Sequence, residues 1–244
     1  MPCGRAGGRR DREMKDSVTA TGIVLSTMPI GEYDKRLLLE TRECGKVSVF
    51  ARGARRPNSP LIGAAVLFAF GEFELSEGRS AYNLRSARIT EHFDWVANDM
   101  EALCYGSYFA EMTDYYGREN IDGSEAVKLL FFALRALKNG KLSRPLVRRV
   151  FELKAMQLEG EYFEEPRTEV PEPARKAWRY VLETPQEQLF RFALDPEAEK
   201  AFGRAVEQMK QAFIERQFRS LAVLEETLAL LSPQESGAGL QAES

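Results

Sequence analysis

Apolar and polar residues alternate along five short segments between residues 18 and 90, and this pattern predicts β-strands. Period-two alternation and β-branched residues are typical of half-buried strands, and turn residues such as Pro29, Gly31 and Gly78 separate the segments. The predicted strands are TATGIVLST, YDKRLLLETR, KVSVFARG, residues 67–76 and RSAYNLRSARIT. Five short strands in about 75 residues favour a small closed barrel over a sandwich. Residues 61–67 leave two interpretations open, a short helix or the beginning of the fourth strand.

After Phe93 the apolar residues recur at spacings of three and four, which predicts helices. One stretch interrupts this pattern, because Gly160, Pro166, Pro171 and Pro173 make residues 160–173 irregular. The predicted helices cover residues 98–117, 124–138, 143–159, 174–183, 197–214 and 218–231.

These patterns divide the chain into a β domain followed by an α domain. The first 13 residues, MPCGRAGGRRDRE, contain cations without a following apolar stretch, so they do not form a secretion signal. We expect residues 1–13 to be a disordered extension preceding a more natural start at Met14, and residues 233–244 to be a flexible tail. The barrel domain is then expected over 14–92 and the helical domain over 93–232.

The composition, 44% hydrophobic and 29% charged over 244 residues, is typical of a globular protein. No apolar run approaches the roughly 18–20 residues that a membrane-spanning helix needs, so no membrane association is expected. Cys3, Cys44 and Cys104 lie far apart, which argues against a disulfide framework and indicates the reducing cytoplasm.

Charge is distributed unevenly between the two halves. Residues 1–92 contain 15 Lys and Arg and 11 Asp and Glu, whereas the remainder contains 19 and 26. The first part therefore carries about +4 and the remainder about −7, so the two halves differ in what they could attract.

Residue types that support catalysis are scarce. His92 is the single histidine, and the chain contains no GxSxG, P-loop or GxGxxG motif. A lone histidine at a strand–helix junction is more often a capping or packing residue than a base, and Cys104 on an apolar helical face is expected to be a small buried hydrophobe. We therefore expect no catalytic residue, no cofactor and no metal, and we expect that the protein is not an enzyme.

The segment KVSVFARGARRPN, by contrast, combines cations with an aromatic residue. Arg52, Arg55 and Arg56 fall within five residues, and Lys46, Phe50 and Arg52 share one face of the third strand. Guanidinium groups match phosphate oxygens, and an aromatic ring can stack on a base, so this combination predicts binding of single-stranded nucleic acid.

Further cations on neighbouring strands extend the candidate DNA-binding surface: Lys35 and Arg36 on the second strand, and Arg79, Arg85 and Arg88 around the fifth. Arg85 and Arg88 have opposite parity, so we expect that they do not share a face. Two alternatives stay open. The arginines could instead pair with Glu32, Glu40, Glu43 and Glu72, and Phe50 could instead pack beneath the helical domain.

The segment TGIVLSTMPIGEYDKRLLLETRECGKVSVFARGARRPNS resembles the amino-terminal barrel of the RecO family of bacterial recombination-mediator and repair proteins. In the second half, LVRRVFELKAMQLEG and QAFIERQFRSLAVLEE resemble helices of the same family. The resemblance implies an OB-fold barrel followed by an all-helical domain, binding of single- and double-stranded DNA, and annealing of complementary strands. It also implies a RecR partner and help in loading the RecA recombinase onto DNA coated by single-strand-binding protein, in the bacterial cytoplasm at the nucleoid.

The chain departs from the family where many members carry a four-cysteine zinc module. Here that place is EGEYFEEPRTEVPEPARKAW, which contains neither cysteine nor histidine, so a family-style zinc site is excluded. In the family the acidic, apolar tail of single-strand-binding protein docks on the helical domain, which makes Arg148 and Arg149 candidate contacts. The alternative is a solvated helix face on which these arginines pair with Glu152.

Two rival functions remain open on sequence grounds. One is a non-catalytic interaction scaffold whose barrel binds an acidic protein surface and contacts DNA only incidentally. The other, a nuclease or different metal enzyme, needs converging carboxylates that the sequence does not provide.

Overall fold

The structure, a computed structural model, describes residues 17–231. The predictions for residues 1–13 and 233–244 lie outside this range. Within it, a barrel of five strands precedes six α-helices, so the predicted fold class, an OB-fold barrel followed by a helical domain, is confirmed. The strands are β1 Ser17–Ile30, β2 Asp34–Thr41, β3 Gly45–Ala51, β4 Phe70–Ser76 and β5 Tyr82–Glu91.

The barrel is closed in the order β1-β2-β3-β5-β4, with a parallel contact between β3 and β5 and antiparallel contacts elsewhere. The long strand β1 closes it by pairing with both β2 and β4, and Gly22 has partners on both sides. A Cβ at Gly22 would collide with the carbonyl oxygen of Glu40, so this crossing requires a glycine. The alternating apolar residues fill the interior, including Leu37, Leu39, Val47, Val49, Phe73 and Leu75.

Residues 61–67 form neither a helix nor a strand, so both interpretations of this segment were wrong. They make consecutive turns, in which the amide of Ala65 donates to the carbonyl of Leu61 at 3.0 Å. The turns place Ala64 and Ala65 in the barrel core, whereas Phe68 reaches the helical core with a left-handed φ of 65°. One apolar segment thus serves two cores, which local periodicity does not distinguish.

The α-helices are α1 Met100–Tyr116, α2 Ser124–Asn139, α3 Arg144–Leu158, α4 Glu172–Glu183, α5 Pro196–Phe213 and α6 Arg219–Leu231. All six lie within a few residues of the predicted ranges. Local signals define their ends: Ser143 caps α3 by accepting from the amide of Leu146, and α2 ends at Gly140 with φ 63°. No helix within residues 17–231 is long and apolar enough to cross a membrane.

The barrel and the helices share an apolar junction. Ile23, Leu25 and Phe68 belong to the hydrophobic cluster that the helices form, and Gly106 lets α1 approach the ring of Phe68 closely. The helices therefore cover one side of the barrel, and the residues on the remaining outer wall are available to solvent.

Candidate nucleic-acid interface

The uncovered wall of the barrel presents one aromatic ring among guanidinium groups. Phe50 is half-buried on the outer face of β3, where its register partners are Arg36 on β2 and Asn83 on β5, and Arg52 follows two residues later. Phe50 belongs to neither hydrophobic cluster, so the alternative in which it packs beneath the helices is wrong. The Nε of Arg36 donates to Ser48 Oγ at 2.7 Å, which holds this guanidinium along the same face.

The loop after β3 is held by the turn between β1 and β2. The amide of Gly53 donates to Asp34 Oδ1 at 2.7 Å, and the amide of Arg55 donates to the carbonyl of Tyr33 at 2.8 Å. Gly53 adopts φ 69°, a conformation that favours glycine. These bonds fix the backbone, so the arginines that follow project from an ordered loop.

The side chains of Arg52, Arg55 and Arg56 are exposed, and within residues 17–231 none of them forms an ion pair. Arg55 Nη1 donates to the carbonyl of Gly31 at 3.3 Å, and the guanidinium of Arg56 lies 5.3 Å from the ring centroid of Tyr33. Their charges are therefore available to an external anion.

The expectation that Arg85 and Arg88 lie on different faces is wrong, because a β-bulge interrupts the pairing of β4 with β5. The register between β4 and β5 shifts at Glu74/Leu75, so the inward positions on β5 are Leu84 and then Ala87. Both arginines consequently face outward. Arg85 Nε donates to Ser76 Oγ at 2.8 Å, whereas Arg88 pairs with Glu72 at 2.7 Å.

Two of the predicted cations are directed toward the protein itself. Lys46 Nζ donates to the carbonyl of Asp114 at 2.7 Å and to its Oδ1 at 2.9 Å, which ties β3 to α1. Lys35 Nζ donates to the carbonyl of Ala65 at 2.6 Å, at the end of the barrel. The exposed surface that remains, called here the arginine wall, comprises Phe50 with Arg36, Arg52, Arg55, Arg56, Arg79 and Arg85.

The carboxylates that could have neutralised the arginines are mostly engaged elsewhere. Of Glu32, Glu40, Glu43 and Glu72, only Glu72 forms an ion pair with an arginine within residues 17–231. Glu43 accepts from the amide of Thr21 at 2.7 Å, and a hydrogen bond with Glu32 raises the pKa of Tyr33. The pairing alternative therefore holds for Arg88 alone.

Tyr33 borders the arginine wall, and the sequence pattern did not indicate it. Its ring is exposed in the β1–β2 turn and lies under the guanidinium of Arg56. The available signal was an aromatic residue directly after Gly31 and Glu32, in a turn, where a buried role is uncommon.

Glu40 occupies the junction between barrel and helices. It is buried, and its carboxyl group fills the space that the absent side chains of Gly117 and Gly123 leave. Burial raises the pKa of Glu40 to about 8, against the opposing effect of the Lys46 charge, with Glu159 and Asp114 adding to the rise. At neutral pH this carboxyl is mainly protonated.

Arg148 and Arg149 belong to a cluster of charges between α1, α3 and α5. Arg148 Nε lies 3.0 Å from Glu152 Oε1, and Arg149 Nη1 lies 2.8 Å from Glu152 Oε2 and 2.6 Å from Glu207 Oε2. The expected pairing with Glu152 is confirmed, but the expected solvated face is wrong, because Arg148 and Glu152 are buried. A role of these arginines in partner binding stays a prediction.

Burial alone would raise the pKa of Glu152, but the charges of Arg149, Arg148 and Lys210 outweigh it and bring the pKa to about 2. The hydroxyl of Tyr108 also donates to Glu152 Oε1 at 2.7 Å. A buried carboxylate with this many donors is a structural element of the helical domain.

The residues considered for catalysis form no assembled site. His92 is half-buried after β5, and Cys104 is buried on α1, as expected for a small hydrophobe. In the part of the chain that the structure describes, no group of three or more His, Cys, Asp and Glu side chains is arranged to hold a metal ion.

Comparison with known proteins supplies the family context. The model of the family "Recombination protein O N terminal" matches residues 14–93, and that of "Recombination protein O C terminal" matches residues 97–165. Together the two models cover more than half of the chain.

Curated relatives give the same result. "DNA repair protein RecO" of Clostridium novyi is 32% identical over 142 residues, which are 58% of this chain and 56% of that protein. The proteins of the same name from Acetivibrio thermocellus and a Cyanothece species are 31% and 34% identical over 57% of this chain, and over 56% and 49% of their own lengths. The chain therefore spans about half the length of the curated relatives it matches.

Proposed function

The chain belongs to the Recombination protein O (RecO) family, and on that premise we propose that it is a DNA-repair recombination mediator of the RecF-pathway type. In this role it binds single- and double-stranded DNA, anneals complementary strands and helps to load recombinase onto DNA coated by single-strand-binding protein. Its place of action is the bacterial cytoplasm, at the nucleoid.

One observation carries the DNA-binding part of the proposal, the half-exposed ring of Phe50 between the outward guanidinium groups of Arg36 and Arg52. A single strand offers unstacked bases to the ring and phosphates to the guanidinium groups. A duplex offers only phosphates, because its bases are already stacked, so it would contact the cations without the ring.

Annealing follows from charge neutralisation and needs no covalent step. Two strands that repel each other approach more easily where exposed arginines offset their phosphates, and binding both on one protein raises their local concentration. The proposed mediator therefore acts without a catalytic residue, a cofactor or a metal.

The helical domain is the proposed site for protein partners, RecR and single-strand-binding protein. Arg148 is buried, but Arg149 is partly exposed and lines a cleft of about 520 Å³ between α3 and α5. Leu194 gives this α5 cleft an apolar wall, and Lys200 and Arg204 add cations to its rim. Two carboxylates also line it, but Glu199 accepts from the hydroxyl of Ser143, and Glu207 pairs with Arg149 and Lys210. An acidic, apolar tail would suit this chemistry.

The alternative function is an interaction scaffold that contacts DNA incidentally. Met28 and Ile62 are exposed apolar side chains in the segments next to the loop that carries Arg52, Arg55 and Arg56, called the arginine loop. They would suit an acidic protein surface with an apolar centre. In that case added oligonucleotide should not compete with the partner.

The test is a salt titration of single-strand binding by the Arg55→Ala/Arg56→Ala double variant. Each lost phosphate contact lowers the slope of log affinity against log salt by about 0.7, so we expect a decrease of about 1.4. The matched control is Arg175→Ala/Arg179→Ala on α4, whose arginines pair with Glu165. An unchanged slope in the first variant would remove the arginine loop from the DNA site.

A further inference from the structure

A second basic and aromatic surface lies outside the arginine wall. It is a cleft of about 550 Å³ between the 3₁₀ turn Asp94–Asn98, the second half of α2 and residues 186–191. Its aromatic side chains are Trp95, Phe132 and Phe190, and its cations are Arg135, Lys138 and Arg191. We call it the Trp95 cleft.

The cations of this cleft have no carboxylate partner in the described part of the chain. Arg135, Lys138 and Arg191 are exposed, and none of them forms an ion pair within residues 17–231. Lys138 Nζ lies 5.9 Å from the ring centroid of Trp95, so the cleft places a cation suited to a phosphate next to a ring suited to a base.

Two carboxylates also line the cleft, but each is occupied. Glu91 Oε1 accepts from the amide of Phe93 at 3.2 Å, and Glu187 lies 3.5 Å from Lys128. The charge offered to a ligand is therefore predominantly positive.

The cleft continues the outer wall of the barrel. Glu91 is the last residue of β5 and lines the cleft, and Arg85 of the arginine wall faces outward six residues earlier on the same strand. Six residues of an extended strand span about 20 Å, a distance that three or four nucleotides bridge.

From this continuity and this chemistry we propose that the Trp95 cleft binds single-stranded nucleic acid that leaves the barrel along β5. The proposal rests on the proposed function, because the strand must first occupy the arginine wall. Bases stack on Trp95 or Phe132, and Arg135, Lys138 and Arg191 contact the phosphates. A duplex is excluded from the stacking contacts, since its bases cannot reach rings inside a cleft.

The test compares two lengths of oligothymidine on full-length protein. A barrel of this type covers about 4–16 nucleotides, so an oligomer of about 8 reaches the arginine wall only, and one of about 25 also reaches the cleft. The variants are Arg135→Ala/Lys138→Ala and, on the opposite wall of the cleft, Arg191→Glu. The matched control is Arg175→Ala/Arg179→Ala, which removes two cations from α4 that pair with Glu165 and belong to none of the proposed sites.

We expect the double variant to keep its affinity for the short oligomer. For the long oligomer its salt slope should fall by about 1.4, which corresponds to two phosphate contacts, and the α4 control should match the wild type. Trp95→Ala should weaken binding of the long oligomer about 5- to 150-fold, the usual effect of losing one stacked base, and Trp95→Phe should restore most of it. Because Arg135, Lys138 and Arg191 are exposed, their variants test the proposal even where Trp95→Ala does not fold.

Three results with the variants would overturn the proposal. They are an unchanged affinity for the long oligomer, an equal loss of affinity for both lengths, and a loss of affinity for an acidic, apolar peptide without a loss for the long oligomer. The last would make the cleft a peptide site. None of these results affects the arginine wall, whose failure would appear separately as unchanged short-oligomer binding in Arg55→Ala/Arg56→Ala.

Discussion

Lys46 and Asp114 join the barrel to the helical domain, because the Lys46 ammonium donates to both the main-chain carbonyl and the side chain of Asp114. This contact links the third strand to the first helix over 68 positions of sequence. Lys46 was expected to face DNA, but this contact gives it a structural role at the junction. The contact also places the positive charge of Lys46 beside the buried carboxyl of Glu40.

Lys46→Met should therefore destabilise the fold more than it weakens DNA binding. Both side chains are partly exposed, so we expect a loss of about 1–2 kcal/mol in the free energy of unfolding, measured in urea. Arg88→Ala, which breaks an exposed pair with Glu72, is the control and should cost less than about 1 kcal/mol. A large fall in single-strand affinity with unchanged stability would instead return Lys46 to the DNA surface.

Glu40 should make the protein less stable as the pH rises. Its pKa is about 8 in the folded state, above the usual value of 4.5, so the folded state holds the proton more tightly than the unfolded chain. Between pH 4.5 and 8 the free energy of unfolding then falls with pH, by up to about 1.4 kcal/mol per unit from this group. Glu40→Gln removes the titration and keeps the shape.

The measurement is the difference in unfolding free energy between Glu40→Gln and the wild type at several pH values. We expect the variant to become more stable relative to the wild type as the pH rises from 5 to 8, and we expect the difference in unfolding free energy to stay constant above pH 8. Glu77→Gln, at an exposed position in the turn after β4, is the control and should show little change. A flat difference would mean that Glu40 is ionised throughout.

Glu152 should have the opposite effect in a more acidic range. Its pKa of about 2 lies below the usual 4.5, so its contribution to stability is complete above pH 4.5 and is lost as the pH falls toward 2. Glu152→Gln leaves the charges of Arg148, Arg149 and Lys210 without their buried counter-charge. We expect a loss of about 3–5 kcal/mol in unfolding free energy at pH 7.

The matched control for this cluster is Glu225→Gln. Glu225 also approaches Arg148, at 3.5 Å, but its side chain is exposed, so its removal should cost less than about 1 kcal/mol. Similar losses in the two variants would argue that burial does not strengthen the Glu152 contacts.

Periodicity predicted the secondary structure well because the relevant signals are local. Helix α2 was expected over 124–138 and covers Ser124–Asn139, since its apolar spacing and the following Gly140 define it within one segment. The barrel was predicted for the same reason, because inward and outward residues alternate along each strand. The turns of 61–67 were not predicted, because their apolar residues pack against two different cores and therefore show no single period.

The candidate site was predicted less completely, because the direction of a cation depends on distant residues. Lys46 turns toward Asp114 and Lys35 toward the carbonyl of Ala65, and no pattern within β2 or β3 contains these acceptors. Arg85 and Arg88 both face outward only because a bulge shifts the register between β4 and β5. By contrast, the exposure of Arg52, Arg55 and Arg56 follows from a loop rich in Gly and Pro, which the sequence itself displays.

Phe50 should separate single-strand from duplex binding. Phe50→Ala removes the ring but no charge, so single-strand affinity should fall by about 1–3 kcal/mol while the salt slope stays constant. Duplex affinity should change little, because a duplex has no free base to stack. Phe50→Tyr keeps a ring and should stay close to the wild type. Fluorescence anisotropy with matched single- and double-stranded oligonucleotides measures both effects, and equal losses for the two ligands would mean that the ring supports the barrel wall instead of a base.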